Sequence, residues 1–185
     1  MTGQDLRQIA EPWNSFLVDL DRGLSTRLVL HCLGGFAINL IYGLPRPTAD
    51  LDMCEVAPSD TKTDVLTRAG EGSSLHTKHG VCLTVVKMAS LPYYYQERLN
   101  EPFRGAFRQL QLLVLDPYDL ALSKLRRNSE VDIEDVKYLG SSVPLDVQVL
   151  RLRYYEEVRP YLTGPPERGD STVDLWCDAI EESRH

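Results

Sequence analysis

Hydrophobic and polar positions alternate along this chain with two different periods, and the switches between them mark out the elements. From Asp5 to Leu20 the apolar residues Leu6, Ile9, Trp13, Phe16, Leu17 and Leu20 recur at three- and four-residue spacing, which predicts an amphipathic helix. Leu28 to Leu33 (LVLHCL) is a short apolar run ended by Gly34 and Gly35, the pattern of a buried strand. Phe36 to Tyr42 resumes as a short helix and stops at Gly43-Leu44-Pro45-Arg46-Pro47, because proline cannot continue a helix and restricts the residue before it. Thr48 to Glu55 reads as a strand in which Asp50 and Asp52 face one side and Leu51 the other. Pro58-Ser59-Asp60 starts a helix over Lys62 to Arg68, which Gly70-Glu71-Gly72-Ser73-Ser74 ends.

Gly80 to Met88 (GVCLTVVKM) and Phe107 to Leu115 (FRQLQLLVL) are β-rich, and Leu91 to Leu99 between them reads as a turn or short helix. After that the pattern is helical only. Asp116 suits an N-cap and Pro117 the first helical position, with Tyr118, Ala121, Leu122 and Leu125 on the apolar face and Leu120, Lys124 and Arg127 along the flank. Val131 to Leu139 is a further helix stopped by Gly140-Ser141-Ser142, Leu145 to Leu162 a longer one broken at Pro160, and Ser171 to Glu182 a terminal one. The order predicts an α/β (α+β) fold, a mixed β-sheet backed by helices with an all-helical C-terminal extension. Residues 1–115 form the expected core and 116–185 a helical subdomain packed on it as a single compact unit, since no flexible linker separates them.

Composition narrows the class. The chain has 185 residues, 43% of them hydrophobic and 25% charged, enough for one sizeable core. A net charge of −7 argues against broad non-specific nucleic-acid binding, though not against a local basic patch. No charged segment followed by an apolar core opens the chain, and Leu28 to Leu44 carries His31, Asn39 and three glycines and is too short to span a bilayer comfortably. A cytoplasmic location without membrane association is expected. Cys32, Cys54, Cys82 and Cys177 are scattered without a C-x-x-C pair, as free thiols in a reducing compartment would be. His76, His79 and Cys82 have a spacing suggestive of zinc but lie in a Ser/Gly-rich turn with no fourth ligand, and no nucleophile elbow supports a serine or cysteine hydrolase.

The chemistry concentrates between His31 and Val56. Gly34 and Gly35 offer backbone without a β-carbon at a helix start, where phosphates can approach free N–H groups. Two carboxylates on one strand face beside them suit Mg²⁺ (or Mn²⁺ in its place), which takes one or two carboxylates plus phosphate oxygens and water. Gly34-Gly35, Arg46-x-Thr48-x-Asp50-Leu51-Asp52, Asp119-Leu120-Ala121 with Lys124-Leu125, and Asp132-Ile133-Glu134-Asp135-Val136 occur in that order. Together they resemble the minimal nucleotidyltransferases of the polymerase-β superfamily, near the AbiEii/MenT toxin-type (DUF6036-like) enzymes, over Leu28 to Leu139.

That resemblance implies a Mg²⁺-dependent nucleotidyltransferase moving a nucleotide from an NTP to an RNA end, a tRNA among the candidates, or to a protein hydroxyl. A role as the toxin of a toxin–antitoxin pair, with a cognate antitoxin as partner, goes with it. Asp50 and Asp52 would hold the metal, Gly34 and Gly35 the β/γ-phosphates, and Lys124 would contact the triphosphate. Arg46 and Thr48 would brace the loop or touch phosphate. Asp132 and Asp135, at i and i+3 on one helical face, can address one cleft, and the related enzymes place an essential aspartate in this region. Many members also carry a third carboxylate on a later strand, but Val81 to Lys87 (VCLTVVK) has none. Asp132 or Asp135 takes that place, or the chain is a degenerate member that binds a nucleotide or partner. An RNA acceptor predicts a basic face near Lys124, Arg126, Arg127, Arg151 and Arg153, and Tyr93-Tyr94-Tyr95 either stack a base or pack over a sheet edge.

Overall fold

Four strands, β1 (Leu28–Leu33), β2 (Asp50–Ala57), β3 (Cys82–Val85) and β4 (Leu110–Val114), form a sheet in the order β3-β2-β1-β4 in a computed structural model that describes residues 9–87 and 90–182. β1 runs antiparallel to β2 and parallel to β4, and β2 parallel to β3, so the sheet is mixed. β2 is buried at Leu51 and Met53, exposed at Asp50 and half-buried at Asp52, which is the alternation that a strand with one solvated face requires. The pairing of β1 with β2 slips between His31 and Cys32: Leu33 faces Asp52, but His31 faces Glu55. Cys54 is the extra residue of this bulge, which returns Glu55 to the Asp52 side of the sheet.

Eight α-helices among the described residues surround the sheet: α1 (Trp13–Arg22), α2 (Gly34–Tyr42), α3 (Lys62–Ala69), α4 (Ser74–His79), α5 (Pro117–Ser123), α6 (Glu130–Ser142), α7 (Val147–Arg153) and α8 (Glu167–Glu182). This is the α/β arrangement read from the sequence, with every strand before residue 115 and only helices after it. The expected start of the first helix at Asp5, and Met88 at the end of the third strand, lie outside the described residues. One core runs through the molecule from Trp13, Phe16 and Phe36 through the sheet to Leu150, Trp176 and Ile180. Asp21 ties α1 to the start of β4 by accepting hydrogen bonds from the backbone N–H groups of Arg108 (3.1 Å), Gln109 (2.7 Å) and Leu110 (2.8 Å). Burial alone would raise its carboxyl, but those three donors hold it below the usual range.

Several elements depart from the local pattern for identifiable reasons. Ser73 does not end a helix but starts α4, its hydroxyl accepting from His76 N–H at 3.1 Å. α6 passes through Gly140 instead of stopping there, because Gly140 is where α8 crosses it. A β-carbon at Gly140 would stand 2.7 Å from Ile180 Cγ1 and 2.9 Å from its Cγ2. Gly140→Ala is therefore expected to cost about 1–3 kcal/mol by overpacking, read as a lowered urea midpoint, with the sheet and its ligand chemistry unaffected. α7 does not continue to Leu162: it passes through a π-turn (Tyr154–Val158) into a 3₁₀ turn (Arg159–Tyr161). Pro160, lacking an N–H and crowding the preceding turn, breaks the regular ladder there. Tyr95 is buried and donates its hydroxyl to Glu55 at 2.9 Å, whereas Tyr93 and Tyr94 are exposed, so only one of the three tyrosines packs on the sheet.

Candidate active site

The cleft is built where three chain segments meet: the β1–α2 turn, the front of β2, and the turn between α5 and α6. Gly34 opens α2 with φ +72°, and a β-carbon there would run into the Asp52 carboxylate. Only glycine combines that backbone with that approach. The preceding residue, Leu33, offers no side-chain cap, so the N-terminal N–H groups of α2 are left for an external acceptor. Gly35 stands further off, with Thr48 Oγ1 3.5 Å from where its β-carbon would lie.

On β2, Asp50 and Asp52 share the open face and Leu51 lies in the core. Thr48 donates its hydroxyl to Asp50 Oδ1 at 2.6 Å, fixing that carboxylate and leaving its other oxygen available. The Asp52 carboxyl is pushed up to about 6, first by burial and then by the negative charge of Asp50, with Lys124 and Arg127 partly opposing. Two repelling carboxylates on one face are an arrangement that a divalent cation relieves, and the donors are the hard oxygens that Mg²⁺ takes. Among the described residues no group of three His, Cys, Asp or Glu is placed to hold a metal, so further ligands would come from phosphate and water. His76, for its part, accepts from Gly72 N–H at 2.9 Å and His79 pairs with Asp19 at 2.9 Å, apart from any such centre.

Lys124, Arg46, Asp132, Asp135 and Arg127 form one charge network across the cleft. Lys124 lies just past the end of α5, only 5% exposed, with Nζ 2.6 Å from Asp135 Oδ2 and 3.4 Å from Asp132 Oδ1. Arg46 Nη2 donates to the other Asp135 oxygen at 2.5 Å. Arg127 holds Asp132 in a two-pronged contact, Nε–Oδ2 2.8 Å and Nη2–Oδ1 2.6 Å. Asp132 also closes a capping box, accepting from the N–H and hydroxyl of Ser129. Burial would raise the Asp132 carboxyl, but Arg127, Ser129 and Lys124 outweigh it and hold it well below the ordinary range. Asp132 and Asp135 are thus fully engaged as counter-ions and supports, an arrangement that suits positioning rather than proton abstraction.

These groups line two adjoining hollows of about 130 Å³ and 200 Å³, which share Asp52, Lys124 and Arg127. Gly35, Arg46, Thr48, Asp50 and Asp135 belong to the first, Gly34, Ser123 and Asp132 to the second. All nine site residues expected from the sequence therefore converge. Beside Asp50 and Asp52, β3 sets Cys82 and Thr84 in register, so this strand brings no third carboxylate to the pair. Arg127, read from the sequence on the same helical flank as Lys124, is a further cleft residue that the motif pattern does not single out. Asn39 is another: its side-chain amide donates to the carbonyls of Leu44 and Arg46 and so holds the loop that delivers Arg46. A polar residue in an otherwise apolar helix was the signal for it.

Asp119 of the Asp-Leu-Ala motif has a different task. It is fully buried, held by Arg98 (3.1 Å at both oxygens) and by Arg153 (2.8 Å), and anchors α5 to the turn at 95–98 and to α7.

A mixed sheet carrying a glycine turn, two same-face carboxylates and a cationic rim defines a nucleotidyltransferase-like domain. Residues 5–183 match the family described as nucleotidyltransferase of unknown function (DUF6036), and the chain belongs to that family. No curated protein and no solved structure gives a match. Among the described residues no helix is long and apolar enough to cross a membrane.

Proposed function

We propose that this chain transfers a nucleotide from an NTP, with Mg²⁺ held by Asp50 and Asp52, to an acceptor hydroxyl on an RNA end or a protein. The observation that carries the reading is the close approach of the α2 N-terminus to Asp52 at Gly34, opposite the buried Lys124. The α2 N–H groups and Lys124 would receive the β- and γ-phosphates, and Arg127 the remaining triphosphate charge. Arg46 acts through Asp135, and Thr48 through Asp50, as positioning residues. A divalent cation bound there would supply the positive charge that neutralises the phosphoryl oxygens.

In the transfer the acceptor oxygen bonds to the α-phosphorus, the bond from that phosphorus to the α–β bridging oxygen breaks, and pyrophosphate leaves with the electron pair. The hydroxyl proton goes to solvent, since Asp132 and Asp135 are both occupied by cations. Catalysis on this reading comes from alignment and charge stabilisation rather than from a dedicated base. A β3 strand that brings no carboxylate to the pair favours a second reading, a member that binds NTP without transferring it. A toxin role with a cognate antitoxin fits either.

The test has two parts. NTP binding measured by calorimetry is expected to require Mg²⁺ and to be lost in Asp50→Ala/Asp52→Ala. Incubation with each labelled NTP and bulk tRNA is expected to label the RNA with wild type only. Label on protein would identify the protein acceptor, and metal-dependent binding without label would establish the second reading. Metal-independent binding that survives the double substitution would overturn both.

A further inference from the structure

The turn at 124–127 presents Lys124 and Arg127 to the catalytic cleft and Leu125 and Arg126 to a second, larger groove of about 500 Å³. That volume is in the range of small-ligand sites, roughly 300–1,000 Å³. Its wall includes Leu91, Tyr161 and Arg168. The basic face expected for an RNA acceptor does not form as such, because four of its five cations are paired: Lys124 with Asp135, Arg127 with Asp132, Arg151 with Asp174 and Arg153 with Asp116 and Asp119. Arg126 is exposed and makes no ion pair among the described residues, and the same is true of Arg168, which lines the same groove. Tyr161 is 62% exposed, and Tyr93 stacks on it with ring centres 5.2 Å apart and planes 15° from parallel.

Unpaired guanidinium groups flanking an open aromatic face are what a single strand needs: cations for its phosphates and a platform for an unpaired base. An apolar protein segment would leave both guanidinium groups without a counter-charge, whereas a phosphate backbone supplies one at each. We propose that this groove seats the 3′ end of a single-stranded polynucleotide, a base lying on Tyr161 and backbone phosphates on Arg126 and Arg168, with the terminal hydroxyl directed across the 124–127 turn into the cleft. The inference rests on the transferase reading and specifies its acceptor.

Fluorescence anisotropy with a 5′-labelled single-stranded RNA 10-mer, its DNA counterpart and the RNA duplex tests it, alongside Mg²⁺-dependent NTP binding by calorimetry. Wild type is expected to bind the single strand at least tenfold more tightly than the duplex. Arg126→Ala/Arg168→Ala should weaken single-strand binding at least tenfold and reduce the slope of log K against log salt by about 1.4, two contacts at 0.7 each. Tyr161→Ala should weaken it about tenfold. NTP binding should be unchanged from wild type in both variants, which also reports that they are folded. Equal binding of RNA and DNA supports a polynucleotide end of either sugar, and preference for RNA supports the narrower acceptor. Absent or unaltered RNA binding with NTP binding intact overturns the groove assignment and leaves the nucleotide site standing, as does transfer of label to protein in the presence of the RNA. Loss of Mg²⁺-dependent NTP binding in wild type overturns the transferase reading and this inference together.

Discussion

Gly34→Ala is expected to abolish Mg²⁺-dependent NTP binding in a protein that still folds, whereas Gly35→Ala is expected to change stability by less than about 1 kcal/mol. The two glycines are adjacent in the chain but their surroundings differ. Gly34 adopts a left-handed backbone, which costs an L-residue roughly 1–2 kcal/mol, and its new β-carbon would displace the Asp52 carboxylate from the face it shares with Asp50. Moving that carboxylate removes half of the metal-binding pair, and tilting the start of α2 re-aims the N–H groups meant for phosphate. Gly35 meets only Thr48, at 3.5 and 3.7 Å, which is ordinary contact. Urea unfolding and calorimetric NTP titration of both variants separate the two effects. NTP binding by Gly34→Ala equal to wild type would show that the phosphates are not received at this helix end.

That contrast marks how far the sequence carries. The carboxylate pair was legible because a period of two is a local property: once Leu51 is buried, Asp50 and Asp52 must face the other way. The need for glycine at position 34 was visible only as residue type, since its cause, the Asp52 carboxylate, arrives from another strand. The bulge that turns Glu55 to the same side leaves no mark in the alternation, because it is set by pairing with β1. Gly140 looked like a stop because glycine often is one, and the reason it is not lies forty residues on, in Ile180. The helix read as starting at Val131 begins at Glu130, behind a capping box formed by Ser129 and Asp132. The geometry allots Asp132 to the cap and to Arg127. Convergence of Arg46, Lys124, Asp132 and Asp135 across 89 positions of chain is tertiary information, and only the resemblance anticipated it.

Asp135→Ala should be the most destabilising single change at the cleft, by about 3–5 kcal/mol, because it strips a buried ammonium of its nearest counter-ion. Lys124 would retain only the 3.4 Å contact to Asp132, an oxygen already held by Arg127, while Arg46 is open enough to be solvated. The double variant Lys124→Met/Asp135→Leu removes both buried charges and fills their space, so its urea midpoint should return close to wild type. Its NTP binding should not return, because the phosphate donor is gone. Asp132 extends the argument to acid. Its folded-state carboxyl lies below the unfolded value near 3.9, so its contribution is complete above that value and is lost as pH falls through the lower folded one. Asp132→Asn should therefore lower stability at neutral pH and flatten the decline of stability below about pH 4. If the double variant is stable and still binds NTP with Mg²⁺, Lys124 is a structural cation and the triphosphate is held by α2 and Arg127 alone. If it is stable and does not bind, the buried pair exists to present a lysine to the nucleotide, and Asp135 serves to hold it there.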